Sequence, residues 1–181
     1  YHPDLSIAGV CRLCQVEIEG MPKLSIACNT FVRDDMVVHT RSERVQQAVK
    51  QVLEMHLINH PVDCPICDQA GECKLQDYWL EHMKTKKRMR DEPVHKPKAV
   101  SFGPTIVYDA ERCISCTRCT RFCREIARDP VLDMRERGNR NEIVLAPGRE
   151  LDHDYTLMTE HVCPVGALTS RDFRFKARVW F

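Results

Sequence analysis

The stretch Cys113-Ile114-Ser115-Cys116-Thr117-Arg118-Cys119-Thr120-Arg121-Phe122-Cys123 decides how the rest of the chain is interpreted. Two residues separate each of its first three cysteines, so one loop presents three thiols to the same point. Such thiolates can bind three irons of a [4Fe–4S] cubane, and the fourth iron then needs a distant ligand, typically a cysteine followed by proline. Cys163 precedes Pro164. The spacing therefore predicts a [4Fe–4S] site with the ligands Cys113, Cys116, Cys119 and Cys163.

Cys123 competes for the fourth position, because the stretch from Cys113 to Cys123 has the spacing of the bacterial ferredoxin run. In that run a proline follows the fourth cysteine, which binds a second cluster. Here Arg124 follows, and the sequence has no second set of three closely spaced cysteines to complete such a cluster. We therefore predict that Cys123 packs on the helix after the loop and binds no iron.

A second group has the pattern His60-x3-Cys64-x2-Cys67-x5-Cys73. Three thiolates leave one iron of a cubane open, and a neutral imidazole can bind it. This ligand set is one charge unit less negative than four thiolates, so on charge alone its potential should be higher. A zinc site with three cysteines and one histidine is the alternative that this motif leaves open.

A third group has the pattern Cys11-x2-Cys14-x13-Cys28. Two thiolates on one turn and a remote one suit a [2Fe–2S] cluster, which takes four ligands. Because the group supplies three, zinc binding or simple packing stays open for this motif.

Composition bounds the other classes of function. The chain has 181 residues, 11 cysteines, 29% charged residues and a net charge of +1. This balance indicates neither nucleic acid nor a membrane surface as a partner. The sequence shows no apolar run of spanning length and no signal-peptide pattern, so we expect neither a spanning helix nor a signal peptide. The odd number of clustered cysteines favours metal ligation over disulfides, and we expect a reducing cytosol or matrix. A catalytic-cysteine enzyme needs a base beside an activated thiol, and no pairing in the sequence stands out for that role.

Alternating and turn residues predict short strands at residues 14–19, 24–27 and 36–39. A helix is predicted at residues 42–59, and Thr40 and Glu43 can form a capping box at its start. Its apolar stripe predicts core packing. We expect a second helix at residues 75–84, a solvated charge run at 84–90 and a linker at 91–104. In the last part we expect strands at residues 105–108 and 143–145 and a helix at residues 120–128.

Taken together and in this order, the motifs resemble the large iron–sulfur subunit of respiratory complex I, the NADH–quinone oxidoreductase of respiratory chains. The matching stretches are Leu5 to Cys14, His60 to Cys73, and Cys163 to Thr169, together with the long gap between Cys119 and Cys163. The resemblance covers essentially the whole chain.

The resemblance implies an α+β fold in three units. It implies an incomplete β-grasp [2Fe–2S] ferredoxin-like unit at residues 1–41, a [4Fe–4S] domain with one histidine and three cysteine ligands at 42–95, and a ferredoxin-like [4Fe–4S] domain with four cysteine ligands at 96–181. The family's first [2Fe–2S] cysteine is expected immediately before Tyr1, and a molybdopterin-enzyme-like domain after Phe181. The chain is thus expected to be a fragment that holds two [4Fe–4S] clusters, with one [2Fe–2S] cluster in the full-length protein.

The function implied by the resemblance is electron transfer from an NADH- and flavin-binding subunit toward quinone, within a translocating NADH dehydrogenase. The expected partners are that subunit and other iron–sulfur subunits. The expected location is the cytoplasmic side of a bacterial inner membrane or the matrix side of a mitochondrial one. We expect no substrate-converting site in this chain, since the cofactors carry the redox chemistry. The alternatives are the related small subunit of an NAD-linked hydrogenase or formate dehydrogenase, and a zinc-dependent structural or nucleic-acid-binding module.

Overall fold

A computed structural model describes residues 1–85 and 88–181, and it shows the mixed α+β organisation that was predicted. In the predicted charge run, Lys84, Thr85, Arg88 and Arg90 are exposed, whereas Lys86 and Lys87 lie outside the described residues. None of the helices in the described part of the chain is long and apolar enough to cross a membrane.

The chain begins with a small antiparallel sheet. Strand β1 (Gln15–Ile18) lies at its centre, between β2 (Ser25–Ile26) and β3 (Val38–His39). Val16 and Ile18 alternate toward the core, because successive strand residues point to opposite faces. The predicted hairpin and the third strand are confirmed, although each strand is shorter than the sequence pattern indicated.

Helix α1 (Glu43–Leu57) packs against β1. Its N-cap is Ser42, whose hydroxyl accepts a hydrogen bond from the Val45 amide at 3.3 Å, so the predicted capping box of Thr40 and Glu43 is wrong. The apolar stripe is confirmed as a core face: Val45, Val49, Leu53 and Leu57 are buried, and Val52 is half-buried.

After a cysteine-rich loop comes helix α2 (Lys74–Tyr78), which continues into a π-helical turn (Trp79–Met83). The turn packs against α1 and ends at Lys84, which has a left-handed backbone with φ 51°. The predicted second helix is thus present as a short α-helix that widens in its last turn.

The remaining residues form two sheets and two helices. Strands β4 (Val100–Ser101), β5 (Ile106–Tyr108) and β8 (Leu168–Ser170) form one antiparallel sheet, and β6 (Leu132–Arg135) pairs with β7 (Glu142–Leu145). Helix α3 (Arg118–Glu125) packs against α4 (Met158–Val162) and β6. One hydrophobic core runs from Leu5 and α1 to β8, and it includes Cys73 of the histidine-containing group and Cys119 of the Cys113 group.

Two expectations for this part need correction. Residues 91–104 are more than a linker, since they contain β4 and the buried Phe102, whose ring stacks on Tyr108 with 4.5 Å between centroids. The helix predicted for residues 120–128 begins two residues earlier and ends at Glu125, before Arg128 takes a left-handed φ of 55°.

Candidate metal centres

The loop at Cys113 is shaped by two left-handed residues. Ser115 and Thr117 have φ values of 55° and 61°, and Thr117 caps α3. The alternating backbone tightens the chain before the helix, so that Cys113 and Cys116 lie on the loop and Cys119 on the first turn of α3. This local fold explains how three thiols converge from seven consecutive residues.

Cys163 approaches the same loop from the far end of the unit. It ends α4, and Pro164 directs the chain away toward β8. A small buried cavity is lined by all four predicted ligands together with apolar residues of β5, β7 and β8. The structure thus brings the four cysteines of the first predicted site together: Cys113, Cys116, Cys119 and Cys163.

The pKa values of these thiols reflect their burial first and their crowding second. Burial, and then the neighbouring thiols of Cys116 and Cys113, raises the pKa of Cys163 to about 12. Burial, followed by Cys163 and the other loop thiols, also raises the pKa of Cys119 well above its usual value. Without a cation these thiols stay protonated at neutral pH, so binding of iron would displace their protons.

Cys123 lies one turn further along α3 and is fully buried. Its sulfur is 3.7 Å from Nε2 of His153, and burial, followed by the charge of Asp129, raises its pKa to about 12. It is absent from the described residues that line the four-thiol cavity. This position agrees with the packing role predicted for it, and its exclusion as a ligand stays a prediction.

The second predicted group is built around the end of α1 and the start of α2. His60 follows α1, Cys64 begins a 3₁₀ turn (Cys64–Ile66), Cys67 follows that turn, and Cys73 is the N-cap of α2. Burial lowers the pKa of His60 to about 4, so the imidazole is neutral at pH 7 and keeps a lone pair for a metal. Its buried Nδ1 atom has no hydrogen-bond partner among the described residues. A buried ring nitrogen without a partner fits a metal ligand.

The thiols of this group lie within electrostatic range of one another. Burial raises the pKa of Cys64, and Cys67 raises it further. Burial also raises the pKa of Cys73, with smaller contributions in the same direction from Cys67 and Cys64. The structure therefore brings these three cysteines to one region, as the sequence pattern predicted.

The two candidate cubane sites touch through the turn after Cys163. The Cys73 thiol lies 3.8 Å from the carbonyl oxygen of Pro164. A Cβ atom built on Gly166 would lie 2.5 Å from the Cys67 sulfur. With the Cys67 sulfur held in this position only glycine fits, which sequence reasoning did not anticipate.

The third group lies at the edge of the first sheet. Arg12, with φ 57°, turns the chain between Cys11 and Cys14, and Cys28 lies in a 3₁₀ turn (Ala27–Asn29) after β2. The Cys28 amide donates to the Cys14 sulfur at 3.4 Å, and burial, then Cys14, raises the pKa of Cys28. All three cysteines line a cavity of about 480 Å³, which Cys116 also borders.

Single-ion sites require a different spacing from clusters. Among residues 1–85 and 88–181, no three His, Cys, Asp or Glu side chains are placed to hold one metal ion. A tetrahedral zinc site would need sulfurs about 3.8 Å apart, since a Zn–S bond is about 2.3 Å long. In a [4Fe–4S] cluster each protein ligand binds a different iron, so the ligands of one cubane stand further apart.

Sequence reasoning missed a buried ionic group between the two candidate cubane sites. Arg112 donates from Nη2 to Asp63 Oδ2 at 3.0 Å, and its Nε lies 3.7 Å from Asp109 Oδ2. The sequence carries one sign of this ionic group: Arg112 directly precedes Cys113, and Asp63 directly precedes Cys64.

Comparison with known families matches three successive parts of the chain. Residues 2–43 match a family described as a 2Fe-2S iron-sulfur cluster binding domain. Residues 50–88 match the NADH-ubiquinone oxidoreductase-G iron-sulfur binding region. Residues 103–169 match the ferredoxin-like domain of NADH-quinone oxidoreductase subunit 3.

Curated relatives match almost the whole chain. A G-type NADH-quinone oxidoreductase subunit of Mycobacterium tuberculosis is 42% identical over 179 residues, which are 98% of this chain and 22% of the relative. The mitochondrial NADH-ubiquinone oxidoreductase 78 kDa subunit of Candida albicans is 43% identical over 183 residues, which are 99% of this chain and 25% of the relative. The chain belongs to the NADH–quinone oxidoreductase-G family. It spans about a quarter of the length of these relatives.

A solved structure extends the comparison to a related class. A crystal structure of an NAD⁺-reducing [NiFe]-hydrogenase matches 99% of this chain and 76% of its own chain, with a TM-score of 0.85 and 28% identity. The predicted family and the α+β fold with iron–sulfur-binding regions are thus confirmed, and these matches favour iron–sulfur over zinc. The unit boundaries at residues 41 and 95 and the individual ligand sets stay predictions.

Proposed function

We propose that this chain is the part of an NADH–quinone oxidoreductase subunit that holds and insulates two [4Fe–4S] clusters for electron transfer and supplies three ligands of a [2Fe–2S] cluster. The observation that carries the proposal is the buried cavity lined by the four thiols of Cys113, Cys116, Cys119 and Cys163. The 42% sequence identity to an oxidoreductase-G relative over 98% of this chain supports the same function.

Two ligand sets would each hold a [4Fe–4S] cluster. Cys113, Cys116, Cys119 and Cys163 form the first set, and His60, Cys64, Cys67 and Cys73 form the second. The neutral imidazole of His60 and its unpartnered Nδ1 among the described residues support its place in the second set. Cys11, Cys14 and Cys28 would supply three ligands of a [2Fe–2S] cluster. When bound, the clusters supply one-electron transfer, and the chain's residues position them, exclude water and set their potentials.

Burial supports the insulating role. Cys67, Cys73 and Cys119 are each less than 10% exposed. The C-terminal segment covers the loop that carries Cys67: Arg178 donates to the Cys67 carbonyl at 2.7 Å, and the Phe175 amide donates to the Asp68 carboxylate at 3.0 Å. A dry surrounding of this kind lowers solvent access to a cluster and thereby influences its potential.

We further propose that the partners are a flavin- and NADH-binding subunit and other iron–sulfur subunits. The corresponding location is the cytoplasmic side of a bacterial inner membrane or the matrix side of a mitochondrial one. Substrate conversion would take place on those partners, and this chain would relay electrons. The names of the oxidoreductase relatives support this arrangement.

A second candidate is the related subunit of an NAD-linked hydrogenase, and the match to the NAD⁺-reducing [NiFe]-hydrogenase supports it. The two candidates differ in the electron donor and acceptor of the assembled complex. Two assays on the native assembly, purified without oxygen, separate them. One follows NADH oxidation with a quinone as acceptor, and the other follows hydrogen production from NADH with a hydrogen electrode.

The ligand assignment is tested on the intact protein purified without oxygen. Cys113→Ser should lose about one cubane's worth of iron and sulfide and one cubane EPR signal. Cys123→Ser is the matched control, since it removes a thiol from the same loop–helix segment yet should keep the full iron content. Equal iron loss in the two variants would contradict the assignment of the four-thiol site.

A further inference from the structure

A buried ionic network joins the two loops that carry the candidate cubane ligands. The side chain of Arg112 is 6% exposed, and those of Asp109 and Asp63 are 7% and 27% exposed. Arg112 Nη2 also lies 3.4 Å from the carbonyl oxygen of Ile66, the residue before Cys67. One guanidinium therefore contacts the loop of the histidine-containing group while its own backbone leads directly into Cys113.

The charge of Arg112 reaches the ligands of the histidine-containing group. Its guanidinium donates to the carboxylate of Asp63, the residue before Cys64, and to the carbonyl oxygen of Ile66, the residue before Cys67. The charge is therefore held beside the backbone of two of the four proposed ligands of this group.

The network is also supported from its far side. Lys98 Nζ lies 3.7 Å from Asp109 Oδ2 and 2.7 Å from Glu111 Oε2, and Glu111 contacts His95 at 2.8 Å. Lys98 thus shares Asp109 with Arg112, and Arg112 keeps its hydrogen bond to Asp63 on the side of the Cys64–Cys67 turn.

Stability alone does not account for this arrangement. A buried ion pair contributes little to stability compared with apolar residues of similar volume, because both charges must be desolvated. Two buried polar atoms of the network, Asp63 Oδ1 and Arg112 Nε, have no hydrogen-bond partner among the described residues. A network selected for stability would satisfy these atoms, since each unsatisfied buried group costs free energy.

We propose that Arg112 is the positioning residue that fixes the two ligand loops against each other and holds the potential of the His60 cluster up by its fixed positive charge. This inference rests on the proposed function. The reduced form of a cluster carries one more negative charge than the oxidised form. A buried positive charge beside it therefore favours reduction, and a buried negative charge disfavours it.

The test is a set of EPR redox titrations on the intact protein in its native assembly. The His60→Cys variant identifies which EPR signal belongs to the histidine-ligated cluster. Arg112→Gln should shift the midpoint of that signal to more negative values, and Arg112→Lys should restore most of the difference. Asp63→Asn should shift the midpoint in the opposite direction, because it removes a negative charge beside the same ligands. The signal of the Cys113 cluster should move less in each variant.

Arg149→Gln serves as the matched control, because Arg149 also pairs with a carboxylate, that of Asp129 at 2.8 Å, but its side chain is half exposed. Its midpoints should equal those of the unmodified protein. If Arg112→Gln loses the cluster, Asp63→Asn decides the matter, since a midpoint that is unchanged or lower overturns the proposal. Full iron content with unchanged midpoints in Arg112→Gln also overturns it, while leaving the proposed function intact. Absence of a histidine-ligated cluster from the unmodified protein would instead contradict the proposed function.

Discussion

Gly166→Ala should destabilise the cluster-loaded protein while leaving the cluster-free protein almost unchanged. The alanine Cβ would lie 2.5 Å from the Cys67 sulfur and 3.3 Å from the Gln69 Cβ. Ordinary contacts between such atoms are about 3.5–4.0 Å, so the sulfur or the backbone must move by about 1 Å. A free thiol can rotate away, whereas a thiolate bound to iron is fixed, and the clash must then be absorbed by the backbone.

The expected cost follows from overpacking of a fixed site, which is about 1–3 kcal/mol. That range corresponds to an increase of about 5- to 150-fold in the equilibrium constant for iron release to a competing chelator. The assay is chelator titration under anaerobic conditions, followed by the visible absorbance and by the two cubane EPR signals. The signal of the His60 cluster should be lost first, since Cys67 belongs to its proposed ligand set.

Gly148→Asn is the matched control, because its added Cβ meets no atom within 4 Å in the described structure and asparagine tolerates the left-handed φ of 71°. This variant should release iron as the unmodified protein does. The reasoning is refuted if Gly166→Ala also releases iron at the unmodified level, since Cys67 would then be free to move in the loaded protein. It is equally refuted if cluster-free Gly166→Ala shows the full destabilisation.

Three further changes have distinct expected outcomes. His60→Cys should retain a cubane but lower its potential by on the order of 100 mV, because the ligand set gains a negative charge; an unchanged spectrum and potential in His60→Ala would show that this histidine is no ligand. Gly71→Ala should displace the C-terminal segment and speed oxidative cluster loss, since its Cβ would lie 2.8 Å from the Trp180 ring; oxygen sensitivity equal to that of the unmodified protein would contradict this. Leu53→Ala should cost about 2–5 kcal/mol in thermal or denaturant unfolding, as Leu53 is fully buried, whereas Met55→Ala on the exposed face of the same helix should cost little; equal losses would contradict the orientation of α1.

The sequence was most informative where residue type and spacing carry the chemistry. The two-residue gaps at Cys113 predicted three convergent thiols, and the proline after Cys163 identified the distant cysteine that the structure brings to the same cavity. The apolar stripe of α1 was equally readable, because a long amphipathic helix repeats its pattern often enough to be recognised.

Short elements were less predictable. Strands β4 and β8 and helix α4 have two, three and five residues, too few to show a period, and tertiary pairing determines them. The prolines of residues 91–104 indicated a linker, although Phe102 is held in the core by stacking on Tyr108. The capping-box pattern assigned the N-cap to Thr40, whereas Ser42 is the N-cap residue in the structure.

The ionic junction was missed at the level of sequence, because an isolated arginine usually lies on the surface. Burial of Arg112 depends on two segments that are 49 residues apart and meet only in the folded chain. The close approach of Gly166 to Cys67 is likewise a property of tertiary packing, and a glycine in a loop suggests a turn before it suggests a missing side chain.

Metal analysis combined with EPR decides whether this chain holds iron–sulfur clusters with the assigned ligands. The measurement is iron, acid-labile sulfide and zinc per chain on the intact protein purified without oxygen, together with EPR spectra at graded potentials. The account predicts two distinct cubane signals and one [2Fe–2S] signal, with equal amounts of iron and sulfide from these three clusters. Stoichiometric zinc with no labile sulfide and no EPR signal assignable to this chain would contradict it.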